Sequence, residues 1–347
     1  MARKILWASL ALAPITFLSD FVLHAGDVVL FLLSAVSLVP LAWLIGEATE
    51  QASEHTGPRI GGFLNASFGN APEVIIALFA VGSGLPNVVR GSLAGSVVSN
   101  LLLVLGFALI AQSEGRVDRM SLLVQLALVA VAVLAFLVPS IPGWDGDPDR
   151  HSLAVVTTPI AAVLLAIYVA VTVYNLRGRE GPAAAGEGPR DETWSLRRSL
   201  AWLGAATAAT ALISEILVHS IHAFADAAGL SEFFIAVVIV ALVGNAAEHG
   251  GAVVIAARGK VSLASEIAIS SSAQVALFVT PVVALVSWLV KPALPLAFRP
   301  VELAAMAAST LLAAGIVWDG RSRRWHGVVL ITAYIGAVLV FLAAGNR

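Results

Sequence analysis

Long apolar runs separated by short polar joints cover nearly the whole chain. Eleven runs are long enough to cross about 30 Å of hydrocarbon as helices. They are residues 5–23, 28–48, 61–82, 92–112, 120–139, 152–174, 198–220, 232–256, 263–289, 301–318 and 326–344. The longest polar stretch, 175–197, is rich in Gly, Pro and Ala and mixes Arg with acids. That composition suits a flexible linker, and it divides the chain nearly in half. The pattern predicts an all-α polytopic membrane protein with about eleven transmembrane helices.

The two halves repeat. Residues 69–106 align without a gap onto 244–281 at a constant offset of 175. Gly69, Asn70, Ala71 and Glu73 pair with Gly244, Asn245, Ala246 and Glu248. Ser96 pairs with Ser271, Leu102 with Leu277 and Val104 with Val279. Leucine identities between two apolar segments carry little weight. A shared G-N-A-x-E carries much more, because Asn and Glu are costly within hydrocarbon. The predicted organisation is an extra N-terminal helix (1–27), a first five-helix repeat (28–174), a linker (175–197) and a second five-helix repeat (198–347). Five spans is an odd number, so successive units enter the membrane from opposite sides. Inverted repeats of this kind place substrate sites near the midplane, where the repeats meet.

Composition narrows the function. Of 347 residues, 59% are hydrophobic and 12% charged, against about 25% charged in a typical soluble domain. A soluble globule and a disordered chain are both excluded. Net charge is −2, so no basic excess exists to bind nucleic acid. There is no cysteine, which excludes disulfides, thiol catalysis and thiolate metal sites. Neither H-E-x-x-H nor G-x-S-x-G is present, so an intramembrane hydrolase has no motif to rest on. Arg and Lys fall 15 on one side of the spans and 5 on the other. By the positive-inside rule this places the N-terminus in the cytoplasm. Arg3 and Lys4 before an apolar run mimic a signal peptide, but the many later spans favour an uncleaved first helix. The excess of Arg over Lys, 17 to 3, with abundant Ala and Gly, points to a GC-rich bacterial source and hence to the cell membrane.

The candidate chemistry lies in the repeat. A carboxylate within a span marks a functional site by default. Glu73 and Glu248 occupy matched positions that an inverted two-fold axis brings face to face. Two carboxylates among neutral oxygens suit a hard divalent cation, and calcium takes about six to eight such ligands. Asn70 and Asn245 lie one turn before the glutamates and share their helix faces. Pro72 lacks an N–H and leaves the Phe68 carbonyl free, while Gly69 and Gly244 permit local unwinding. Ser96 with Asn100, and Ser271 with Gln274, place further oxygens on one face of the following spans. Interhelical hydrogen bonding explains these Ser, Asn and Gln residues equally well. Glu47 and Glu50, and Glu215 with His219 and His222, end two spans at matching places in the two units. They either line a cation or proton path or are solvated helix ends. His249 adds an imidazole that titrates near neutral pH, although its position directly after Glu248 points it away from that carboxylate.

LNASFGNAPE, GSVVSNLLLVLG, SEFFIAVVIVALVGNAAEH and SSAQVALFVTP resemble the motifs of CAX-type cation exchangers. These are the calcium/proton antiporters of the calcium/cation antiporter superfamily, and the resemblance spans nearly the whole chain. It implies that Glu73 and Glu248 bind Ca2+ and H+ alternately, and that Asn70, Asn245, Ser96, Ser99, Asn100, Ser271 and Gln274 line the site. It implies no cofactor, and spans 28–48 and 198–220 moving as a gate against the other eight. Sodium/calcium exchange, or manganese or potassium transport, remains open on the same fold. The sodium/calcium branch carries an acidic residue or Asn one position after Gln274, where this chain has Val275. Two further departures stand out: the linker lacks an acidic run, and His219 stands where relatives often have Asp.

Overall fold

The computed structural model describes residues 2–112, 115–178 and 194–345. Helices α1 (Ala2–Ser9) and α2 (Leu12–Phe21) make the extra N-terminal segment. Helix α3 (Asp27–Phe68) is helical over 42 residues, including the 49–60 stretch that the sequence suggests is a loop. Yet Ser53 Oγ donates to the Gly61 carbonyl at 3.1 Å. Eight residues of straight helix rise about 12 Å, so the chain turns back on itself between these positions. The expected spans 28–48 and 61–82 are therefore separate passages joined by helical backbone.

The chain continues through α4 (Ala71–Gly82), α5 (Pro86–Ala111), α6 (Arg119–Trp144), α7 (His151–Gly178), α8 (Leu196–Ala228) and α9 (Glu232–Gly244). It ends with α10 (Ala246–Ala257), α11 (Val261–Val290), α12 (Pro300–Val317) and α13 (Arg324–Ala344). Among the described residues nine helices are long and apolar enough to cross a membrane, and α9 with α10, bent by 60°, makes a tenth. The short α4, with the returning part of α3, takes the place of the remaining expected span. Most of the 175–197 linker lies outside the described residues. The all-α reading gains one exception. Strands β1 (Gly115–Arg116) and β2 (Arg321–Ser322) pair antiparallel, with Gly115 opposite Ser322.

The 175-residue offset recurs in the backbone. Both α4 and α10 have 12 residues. The breaks before them have nearly the same dihedrals, φ −98° and ψ 15° at Asn70 and φ −95° and ψ 9° at Asn245. Helices α5 and α11 each widen into a π-helical turn, over Asn100–Val104 and Val275–Val279. Turns of this type concentrate at functional sites. Pro72 sits in the first turn of α4, where a missing N–H leaves no intrahelical bond unmade.

Polarity is arranged for a hydrocarbon surround. Large apolar side chains such as Leu134 on α6 and Leu339 on α13 stand 64% and 59% exposed, as lipid-facing residues do. The centre belongs to α5, in which every residue from Val88 to Ser99 is buried. Small residues allow close crossings there. A Cβ on Gly95 would strike the Val237 carbonyl of α9, and one on Gly327 would strike the Gly106 carbonyl. Helices α3 and α8 pack along each other, with Phe31 and Phe224 stacked at 4.2 Å between ring centroids.

Candidate cation site

Four side-chain hydrogen bonds cross between the halves and gather the predicted residues into one cluster. Asn70 Nδ2 donates to Gln274 Oε1 at 2.7 Å, and Asn245 Nδ2 donates to Ser96 Oγ at 2.8 Å. Asn100 Nδ2 donates to Ser271 Oγ at 2.9 Å, and Asn100 Oδ1 accepts from His249 Nε2 at 2.9 Å. The helix breaks make this possible. They place Asn70 and Asn245 at the junctions, buried at the centre of the molecule.

Glu73 and Glu248 each stand in the first turn of the helix after a break, α4 and α10. The positive end of the helix dipole favours a carboxylate there. Glu73 is buried and Glu248 half-buried. The Glu73 side chain lies against Gly244, where a Cβ would come within 3.4 Å of its Cγ. The two carboxylates are close enough for their charges to interact. Three buried oxygens here, Glu73 Oε2, Glu248 Oε2 and Asn245 Oδ1, have no hydrogen-bond partner. Buried polar atoms are rarely left in this state, and a set of bare acceptors suits a cation. A void of about 10 Å³, lined by Glu73, Ser92, Ser96, Ala241 and Gly244 among others, has room for about one water. Among the described residues no three His, Asp or Glu converge, so two carboxylates supply the negative charge.

Other predicted residues stand apart from this network. Ser99 is buried, but its hydroxyl donates to the Ser96 carbonyl of its own helix at 3.2 Å. Phe68 ends α3 and packs against the cluster that contains Leu44, Ile45 and Trp194, while Gly69 lies in the turn between α3 and α4. Glu47 accepts from Gln51 at 3.3 Å along α3, and Glu50 lies half-buried one turn further on. Glu215 and His219 occupy an exposed face of α8, where His219 Nδ1 meets the Glu215 carbonyl at 2.9 Å.

Sequence reasoning missed Ser92 and Ala241, which share the void with Glu73. Ser92 precedes Ser96 by one helical turn, a spacing that puts both on one face. The repeat hid it, because its counterpart at offset 175 is the apolar Ile267. The repeat is also chemically lopsided. Asn100 and His249 correspond to Val275 and Val74, so the polar branch that carries the His249–Asn100 bond exists on one side only.

Comparison with known proteins bears on the whole chain. The family described as "Sodium/calcium exchanger protein" matches residues 26–177 and 198–343. The Ca(2+)/H(+) antiporter ChaA of Bacillus subtilis is 39% identical over 325 residues, covering 90% of this chain and 92% of the relative. A Ca(2+)/H(+) antiporter of Aphanothece halophytica is 33% identical, covering 98% of this chain and 96% of the relative. Among solved structures, native YfkE superposes with a TM-score of 0.84 at 35% identity, covering 98% of this chain and 99% of that one. The H+/Ca2+ exchanger CAX shares the fold at a TM-score of 0.77 and 19% identity, over 99% of this chain and 91% of that one.

Proposed function

The chain belongs to the sodium/calcium exchanger protein family, in its CAX-type calcium/proton antiporter branch, and on that premise we propose that it exchanges cytoplasmic Ca2+ for external H+ by alternating access. Calcium binds between Glu73 and Glu248 in their ionised forms. Asn245, Asn70, Ser96, Ser271, Gln274, Asn100 and the carbonyls at the two helix breaks supply neutral oxygens. Protons arriving from outside neutralise the same carboxylates and release the metal. Two protons replacing one divalent ion leave the buried charge unchanged. Competition for one pair of groups then couples the two fluxes without a state in which both substrates are bound.

The observation that carries this reading is the pairing of two intramembrane glutamates, each with a bare buried oxygen, on first turns related by the 175-residue offset. We assign residues 28–174 and 198–347 to the two inverted units, the N-terminus to the cytoplasm, and the gate to spans 28–48 of α3 and 198–220 of α8. Their mutual packing supports treating these two helices as one body. The proton, rather than sodium, is the counter-ion because Val275 stands beside Gln274 and, among the described residues, no third acid joins the cluster. Calcium flux into proteoliposomes under an imposed pH gradient, with a sodium gradient as the control, tests the proposal. Uptake should follow the pH gradient. Sodium-driven uptake of equal size would move the chain to sodium/calcium exchange.

A further inference from the structure

A cavity of about 400 Å³ lies away from the glutamates, between the N-terminal helices, α3, α8 and α9. Leu6 and Leu12 close one side, Phe31, Ala35 and Phe224 the second, and Ile239 and Val243 of α9 the third. Ser9 is the one hydroxyl in the lining, and it is already spent on the Leu6 carbonyl at 2.9 Å. Nothing here asks for a polar ligand, and a cavity with apolar walls stays dry. Left empty, the walls forgo the dispersion contacts that hold a packed interior together.

The position of the cavity says what fills it. Its α3 wall runs from Phe31 to Pro40, inside the apolar Asp27–Thr56 span. At 1.5 Å per residue that is roughly 6–20 Å below the Asp27 end, which lies mostly within the nearer leaflet and reaches just past the midplane of a bilayer whose core is about 30 Å thick. Leu32 and Val36, which also line it, are 51% and 54% exposed and continue the exposed face of Val28 and Val29. The cavity is thus a recess in the lipid-facing surface. At about 30 Å³ for a water-sized group, it takes on the order of a dozen methylenes, most of one acyl chain.

We propose that this recess is a binding site for one phospholipid acyl chain from the leaflet on the Asp27 side. The seated chain packs on Ile239 and Val243 from the side opposite the cation site. Val243 adjoins Gly244, against which the Glu73 side chain rests. The lipid therefore supports the α9 wall of that site, and its binding does not depend on which ion the protein moves.

The test uses the full chain in vesicles of phosphatidylcholine carrying a photoactivatable diazirine within the acyl chain, with adducts mapped by peptide mass spectrometry. Adducts are expected on Val36, Ile239 and Val243. Two plugs on opposite walls, Ala35→Phe and Ser9→Phe, should each lower the Ile239 and Val243 adducts severalfold. Labelling of the lipid belt at Leu134 and Leu339 should stay constant and also reports that each variant is folded. The proposal is overturned if Ile239 and Val243 remain unlabelled while the belt is labelled. It is equally overturned if their labelling persists in a folded plugged variant.

Discussion

The side-chain amide of Asn70 donates to Gln274 Oε1 at 2.7 Å, and so ties the helix break of the first half to the crossing helix of the second. Asn70 is fully buried and Gln274 half-buried, and Gln274 is one of the residues placed around the cation. Replacing Gln274 with Leu keeps similar bulk and removes the acceptor. A buried donor deprived of its acceptor costs about 1–3 kcal/mol. Thermal unfolding of purified Gln274→Leu should show a loss of that size, and calcium affinity should fall with it. An unchanged unfolding midpoint would mean that the contact contributes nothing to holding the halves together.

Charge neutralisation at Glu73 and Glu248 separates site from scaffold. Glu73→Gln and Glu248→Gln nearly preserve volume and remove one of the two charges that balance a divalent cation. Each should abolish calcium exchange while leaving yield and unfolding temperature at or above wild type, because a buried charge is itself costly. Near-normal calcium flux in either variant would refute a shared two-carboxylate site.

Glycine positions give a prediction about packing alone. At Gly95 a Cβ would strike the Val237 carbonyl, whereas at Gly204 on α8 it would meet nothing within 4 Å. Gly95→Ala forces α5 and α9 apart, and overpacking of this kind costs about 1–3 kcal/mol. Gly204→Ala should be neutral or stabilising by up to about 1 kcal/mol, since Ala is the better helix former. Thermal unfolding of the two variants side by side is the check. Equal midpoints would show that the α5–α9 crossing yields freely.

The parts of this architecture that repeat were the parts legible in the sequence. Asn70 and Glu73 are rare residues within spans, and finding them again at Asn245 and Glu248 marked both helix breaks and both carboxylates. Where the halves differ, the signal was weaker. Ser92 was hidden by Ile267, and the bond between His249 and Asn100 by the valines at their repeat counterparts, Val74 and Val275. Helical spacing does turn His249 away from Glu248, but where it points depends on how α10 crosses α5, which no local pattern encodes. The reversal near Ser53 escaped notice for a different reason. Polar residues 49–60 read as a loop, whereas the helix runs on to Thr56 before the chain turns back towards Ser53 at Gly61. The bridge between Gly115 and Ser322 is a contact across more than half the chain and leaves no trace in a stretch of two residues.

Proton linkage gives the most demanding test of the exchange mechanism. If Ca2+ binds only when Glu73 and Glu248 are both ionised, every proton on the pair at a given pH must leave as the metal enters. Binding should therefore release protons, and apparent affinity should fall as pH drops. Where both groups are protonated in the free protein, two protons leave per calcium, and affinity falls about a hundredfold per pH unit, tenfold for each proton. Where both are already ionised, affinity no longer depends on pH. The pair titrates as a unit, so the curve between these limits belongs to both groups together. Isothermal titration in buffers of different ionisation enthalpy measures the number released directly. A release near zero across the pH range in which transport runs would mean that the carboxylates are ionised before calcium arrives. Protons would then have to travel by another route, and the imidazole of His249, which meets Asn100 within the cluster, is the next candidate.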